Sequence, residues 1–208
     1  MNKTTVKICG LTRAEDAIAA AELGAHALGF VFYPPSPRHI SARRAAEIIR
    51  ALPPFVTTVG LFVNANADDV TSVIDEVPLG LLQFHGDETS DYCAQFRRPY
   101  IKALRVRPGV DLLQYALQYE SARGLLLDAF VAGVPGGTGE IFDWNLIPTK
   151  LPLPIVLSGG LNNGNVIEAI RRVRPCAVDV SSGIESSPGI KDARKMNDFF
   201  KGVRDADG

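Results

Sequence analysis

Cys9 closes the short apolar run VKIC (6–9), and Asp128 closes another, GLLLD (124–128). A thiol and a carboxyl group at strand ends are suited to moving protons, one as a base and the other as an acid. Strand residues alternate between faces, so Cys9 shares its side with the charged Lys7, while Val6 and Ile8 share the other. A lone inward cysteine is more often a small core hydrophobe than a reactive group; the company it keeps has to decide. Ser158-Gly159-Gly160, just before Asn162, and Ser181-Ser182-Gly183 have the form of phosphate grips. Glycines let backbone N–H groups approach an anion, and a following helix N-terminus adds a favourable dipole. Arg38 stands in the proline-stiffened loop PPSPR, where a guanidinium can fork onto a carboxylate.

These residues need elements to hold them. Apolar runs rich in Val, Leu, Ile and Phe recur at 6–9, 27–32, 57–63, 80–84, 100–106, 124–128, 154–158 and 177–181, as buried parallel strands do. Amphipathic segments at 13–23, 41–52, 66–76, 88–96, 109–119, 162–173 and 190–201 predict helices between and after them, with Thr12, Ser41 and Asn162 or Asn163 as N-caps. Residues 143–148 offer only a turn or two. Eight alternations in one chain point to an α/β fold, a single-domain (β/α)8 barrel over residues 1–208. A doubly wound open sheet would use fewer strands, often with a glycine fingerprint after the first, and no GxGxxG follows strand one.

Barrels of this kind place their sites at the carboxyl ends of the strands, often with phosphate at the loops after strands seven and eight. Reading those ends collects Cys9, the Arg38 loop, Gln83 and His85 in QFHGDE, Asp128, Ser158, Gly159 and Gly160, then Asp179, Ser181, Ser182 and Gly183. Cys9 and Asp128 lie too far round such a ring to form a nucleophile–base pair, so they are expected to face opposite sides of a substrate. A partly desolvated carboxyl at Asp128 suits a general acid. Closure of strand eight on strand one brings Asp179 opposite Lys7, and a buried ammonium needs such a carboxylate. Lys7 beside Cys9 would then favour the thiolate. The glycine-rich stretch 131–140 is read as a cover over the mouth.

Composition narrows the classes. With 208 residues, 46% hydrophobic content and a formal net charge of -1, the chain can bury a core and carries no basic patch for nucleic acid or membrane. No apolar stretch is long enough to span a bilayer, and no signal-peptide core stands near the start. Three widely spaced cysteines fit a reducing, cytoplasmic compartment, and the scattered His26, His39 and His85 give no metal pattern.

Taken together, KICGLT, GFVFYPPSPRHIS, VGLFVN, QFHGDE, LLLDA, GGTGEIFDW, LSGGLN and VDVSSGIESSPGIKD occur in an order that resembles the phosphoribosylanthranilate isomerase family of tryptophan biosynthesis, from residue 7 to residue 192. The resemblance implies a cofactor-free Amadori rearrangement of N-(5-phosphoribosyl)anthranilate, the third step from chorismate. It also implies Asp128 as the acid that opens the ribose ring, Cys9 as the base at C2′, and Arg38 as the holder of the anthranilate carboxylate. Lys7, Gln83, His85, Ser158, Gly159, Gly160, Asp179, Ser181, Ser182 and Gly183 are expected to line the substrate. Two positions depart from the usual pattern: Phe84 where Leu is commoner, and Glu140 where Lys is commoner. Indole-glycerol-phosphate synthase, a related phosphate-binding barrel, would want a lysine acid and a longer N-terminal extension. A non-catalytic phosphosugar-binding barrel would keep the grips but has no use for both Cys9 and Asp128. Whether the molecule is a monomer or a homodimer is left open by the sequence.

Overall fold

In a computed structural model, residues 3–129 and 142–208 are described. Eight parallel strands close into a barrel in sequence order: β1 (Thr5–Cys9), β2 (Ala27–Val31), β3 (Thr57–Phe62), β4 (Leu81–Phe84), β5 (Tyr100–Val106), β6 (Leu125–Ala129), β7 (Ile155–Leu157) and β8 (Ala177–Val180). Closure is made by β1 pairing with β8, with Lys7 opposite Asp179. The helices α1 (Ala14–Glu22), α2 (Ala42–Ile49), α3 (Ala67–Glu76), α4 (Ser90–Ala94), α5 (Leu112–Gln118) and α6 (Val166–Val173) follow strands one to five and seven. The weak segment after β6 holds a single 3₁₀ turn, Trp144–Leu146.

Alternation along each strand sorts the side chains into two layers. Outward residues such as Ile8, Leu28, Phe30, Phe62, Phe84, Leu125 and Val178 are buried beneath the helices in one continuous core. Phe84, the residue in place of the commoner Leu, is wholly buried and packs with Phe62, Tyr92, Phe96 and Tyr100. Inward residues fill the barrel in smaller groups: Ile101, Ala103 and Leu126 in one, Cys9, Val31, Leu61 and Val63 in another. Apolar filling plugs the barrel centre, so polar inward residues near the carboxyl ends face an open mouth.

Three local expectations give way. Residues 190–201 do not begin a helix: Ile190–Lys191 is a strand, β10, paired antiparallel with β9 (Glu185–Ser187). The last helix, α7, runs Ala193–Asp207 with Asp192 accepting from the Lys195 N–H as its cap. Thr12 does not cap α1; its hydroxyl donates to the Gly189 carbonyl at 2.6 Å, tying the β1 loop to the β9–β10 turn. Asn162 and Asn163 are not the cap of α6, which starts after Asn165; Asn162 accepts from the Gly164 N–H inside the loop instead. Ser41 caps α2 as its sequence suggests. For Thr12 and for Ile190–Lys191 a contact distant in sequence or a strand pairing claims the residue, whereas Asn162 is taken by a hydrogen bond within its own loop.

Candidate active site

The mouth of the barrel brings together residues from six of its strands. On β1, Lys7 and Cys9 point inward, 4% and 5% exposed. The Lys7 ammonium lies 2.8 Å from the Asp179 carboxylate on β8, both side chains buried, which is the pair that barrel closure predicts. Asp179 also accepts a long contact of 3.5 Å from the hydroxyl of Ser158, the residue that follows β7. Burial works against the Lys7 charge, but Asp179 and, more weakly, Cys9 carry its pKa above the ordinary lysine value. For Cys9 the expected pull of Lys7 toward the thiolate is present, but it does not set the net direction. Burial pushes the thiol up, Lys7 pulls it down, and the Asp179 carboxylate adds to the upward push, so the net direction is up. The cation is where it was expected, yet desolvation outweighs it.

Around the ring, Asp128 on β6 is buried between the Ala129 N–H and the His85 ring. Its Oδ1 accepts from the Ala129 N–H at 2.9 Å, and its Oδ2 lies 3.0 Å from His85 Nε2. His85 Nδ1 in turn lies 2.9 Å from the side-chain nitrogen of Gln83, which is wholly buried. Gln83 therefore reaches the mouth only through His85. Arg105, inward by alternation on β5, is the register partner of Asp128.

The β7 and β8 loops form the paired glycine cradle. Gly159 and Gly160 hold left-handed backbone, φ +84° and +66°, which ordinary side chains resist. A Cβ on Gly159 would sit 2.6 Å from the Ala129 nitrogen and 3.0 Å from Asp128 Oδ1, so this loop packs directly against the acid. A Cβ on Gly183 would collide with the Leu161 carbonyl, so only glycine lets the β8 loop close on the β7 loop. Ser182–Ile184 is a 3₁₀ turn after Ser181, and the Ser181 hydroxyl is buried with no partner among the described residues.

Arg38 is placed differently from a free rim cation. Its Nε and Nη2 grip Glu185 at 2.9 and 2.7 Å, leaving the Nη1 end for any substrate carboxylate. Its Cδ would lie 2.5 Å from a Cβ at Gly10, so the side chain lies across the end of β1 beside Cys9. Glu185 also accepts from Lys191 at 2.8 Å, and Lys191 donates to the carbonyls of Cys9 (2.6 Å) and Ser181 (3.1 Å). Burial would raise the Glu185 carboxyl, but Arg38 and Lys191 hold it below its ordinary value. Burial, opposed by Glu185, brings Lys191 below the ordinary lysine value.

This buttress escaped the residue-by-residue search, as did a second one. Lys102 on β5, 2% exposed, donates to the carbonyls of Gly86 (2.6 Å) and Phe84 (3.3 Å) and to Glu88 (3.2 Å). Glu88 accepts from the Asn64 and Gly86 N–H groups, fixing the loop that carries His85. The signal was present: a lysine inside an apolar strand must find a partner, the same anomaly that exposed Lys7. The glycine-rich stretch 131–140, with Glu140, lies outside the described residues.

Residues 6–202 match the family model described as N-(5'phosphoribosyl)anthranilate (PRA) isomerase. The chain belongs to the phosphoribosylanthranilate isomerase family. A relative from Pseudomonas putida (strain W619), named N-(5'-phosphoribosyl)anthranilate isomerase, is 59% identical over 206 residues, 99% of this chain and 100% of its own. The Thermotoga maritima phosphoribosyl anthranilate isomerase crystal structure superposes with a TM-score of 0.88 at 44% identity, covering 97% of this chain and 99% of that one. Another phosphoribosyl anthranilate isomerase structure, in complex with reduced 1-(o-carboxyphenylamino)-1-deoxyribulose 5-phosphate, superposes at TM-score 0.82 and 41% identity with the same coverage. The family's activity is an aldose–ketose isomerisation, and the barrel expected from the motifs is the barrel found.

Proposed function

We propose that this isomerase converts N-(5-phosphoribosyl)anthranilate to 1-(2-carboxyphenylamino)-1-deoxyribulose 5-phosphate with Asp128 as general acid and Cys9 as general base. One observation carries the assignment: two buried proton-transfer groups face one mouth from β6 and β1, with the glycine cradle of the β7 and β8 loops between them. Asp128 gives its proton to the ribose ring oxygen. The C1′–O bond breaks as the anilino nitrogen lone pair forms C1′=N, and Asp128 is left as a carboxylate. The iminium makes the C2′ proton acidic, and the Cys9 thiolate removes it. The electrons move into C1′=C2′ and neutralise the iminium nitrogen. Protonation at C1′ and loss of the 2′-hydroxyl proton complete the ketone, so no atom is gained or lost overall.

The Gly159–Gly160 and Ser181–Gly183 backbones hold the phosphate, and the Nη1 end of Arg38 meets the anthranilate carboxylate. Lys7 serves the base by opposing the desolvation that disfavours its thiolate. Residues 1–208 are read as one barrel domain working in the cytoplasm without a cofactor; no described helix is long and apolar enough to cross a membrane. The test follows the loss of substrate fluorescence with purified protein, Cys9→Ala and Asp128→Asn. Each variant is expected to lower kcat by at least about a hundredfold, with binding of a reduced product analogue little changed. An Asp128→Asn enzyme with near wild-type kcat would remove the acid from the mechanism, and wild-type protein that binds the analogue without turnover would leave a phosphosugar-binding barrel.

A further inference from the structure

Gln83 is an odd residue for its place. It is wholly buried on the inward face of β4, where its neighbours in register are Leu61 and Ile101. Its amide nitrogen lies 2.9 Å from His85 Nδ1, while its Oε1 has no partner among the described residues. An aliphatic side chain would fill this volume without an orphaned carbonyl, so the amide is a cost to the core. Among the described residues its one hydrogen-bonding contact is the His85 ring.

That contact constrains a proton. A neutral imidazole donates from one nitrogen and accepts at the other, and the partner of one decides the role of the other. If Gln83 presents its NH₂ to Nδ1, then Nδ1 accepts and Nε2 must carry the hydrogen. Nε2 then donates to Asp128 Oδ2, 3.0 Å away. If the amide were reversed, Nδ1–H would donate to Oε1, and a bare Nε2 could accept only the carboxyl proton that Asp128 must deliver to the ring oxygen; once that proton is gone, nothing would lie between Nε2 and the carboxylate. The charged groups at inward positions of the surrounding strands are Arg105 on β5, Lys7 on β1 and Asp179 on β8, and none of them is hydrogen-bonded to the ring. Among the described residues the ring's two partners are Gln83 and Asp128.

We propose that Gln83 is a positioning residue that locks His85 in the Nε2–H tautomer, making it a fixed donor to Asp128. The hydrogen bonds then run one way, from Gln83 to His85 to Asp128. When Asp128 gives its proton to the ring oxygen, the new carboxylate already has two donors in place, His85 Nε2–H and the Ala129 N–H, and needs no reorganisation. The inference rests on Asp128 as the acid, but its decisive measurement does not.

The experiment is nitrogen NMR of protein carrying 15N-labelled histidine. The chain has three histidines, and His85→Asn identifies the resonances of the third. The wild type is expected to show His85 as the neutral Nε2–H tautomer near pH 7.5. In Gln83→Met, which keeps the volume and removes the amide, both tautomers should appear. In that variant kcat should fall severalfold while KM stays within about twofold, because Gln83 does not reach the substrate. Gln83→Glu, which keeps a polar partner for Nδ1, should turn the ring into a donor at both nitrogens and recover part of kcat. A wild-type ring protonated at Nδ1 would overturn the proposal, and so would an unchanged tautomer in Gln83→Met. Loss of the tautomer lock with unchanged kcat would instead count against Asp128 as the acid while leaving the role of Gln83 in orienting His85 intact.

Discussion

Replacing Lys7 with Met tests the balance that governs the proposed base. The Lys7–Asp179 pair is 2.8 Å long with both side chains 5% exposed, so the substitution leaves a buried carboxylate without its cation. Breaking such a pair from one side costs about 3–5 kcal/mol, and the denaturant midpoint should fall accordingly. The thiol responds to the same change twice. Lys7 lowers the Cys9 pKa and Asp179 raises it, so losing the first and unmasking the second push in one direction. An upward shift leaves less thiolate at a fixed pH below the pKa. The assay is the rate of alkylation by a small reagent as a function of pH, in a Cys93→Ala/Cys176→Ser background so that only Cys9 reacts. The Lys7→Met curve should move to higher pH, with slower labelling near pH 8. Lys7→Met/Asp179→Asn removes both charges and should recover part of the rate and part of the stability. A Lys7→Met protein that folds and labels along the parent curve would refute the tuning of the thiol and confine Lys7 to structure or to substrate contact.

Arg38→Ala should raise KM by more than tenfold, since a charge-assisted pair contributes about 1.5–3 kcal/mol; a substrate analogue lacking the carboxylate should be handled equally by variant and wild type. Glu185→Gln should raise KM in the same substrate-dependent way, because it releases the Nε and Nη2 edge that holds Arg38 beside Gly10; an unchanged KM would mean Arg38 needs no such support. At alkaline pH the buried Cys93 matters. Burial raises its pKa from 9.0 to about 12, so between those values the folded chain holds a proton that the unfolded chain has lost. Stability should therefore fall as pH rises above 9, by about 1.4 kcal/mol at pH 10 from this group, and urea midpoints at pH 8 and pH 10 should converge in Cys93→Ala relative to wild type.

Much of the molecule is legible in its residues because the relevant physics repeats along the chain. Short apolar runs alternating with amphipathic segments specify strands and helices, and eight of them specify closure. Alternation within β1 and β8, plus that closure, is enough to pair Lys7 with Asp179, because a buried ammonium leaves few options. The strand-end position of Cys9, Asp128 and the two glycine loops follows from the same rhythm. What the fold alone decides is every outcome set by competition between distant groups. Whether Cys9 ends with its pKa raised or lowered depends on how completely the barrel excludes water around it, and here burial exceeds the pull of a lysine that the sequence had already placed. Arg38 reads as a free rim cation until Glu185, 147 positions away, takes one edge of its guanidinium. Ile190–Lys191 carries a helical pattern yet pairs as a strand with residues 185–187, delivering Lys191 to the carbonyls beneath Cys9 and Ser181. Gln83 on β4 and His85 just beyond its end stand two apart, but the chain of contacts they make appears only when β6 brings Asp128 to within 3.0 Å. Local pattern determines which face a side chain takes; desolvation and partner choice depend on what the closed barrel packs against that face.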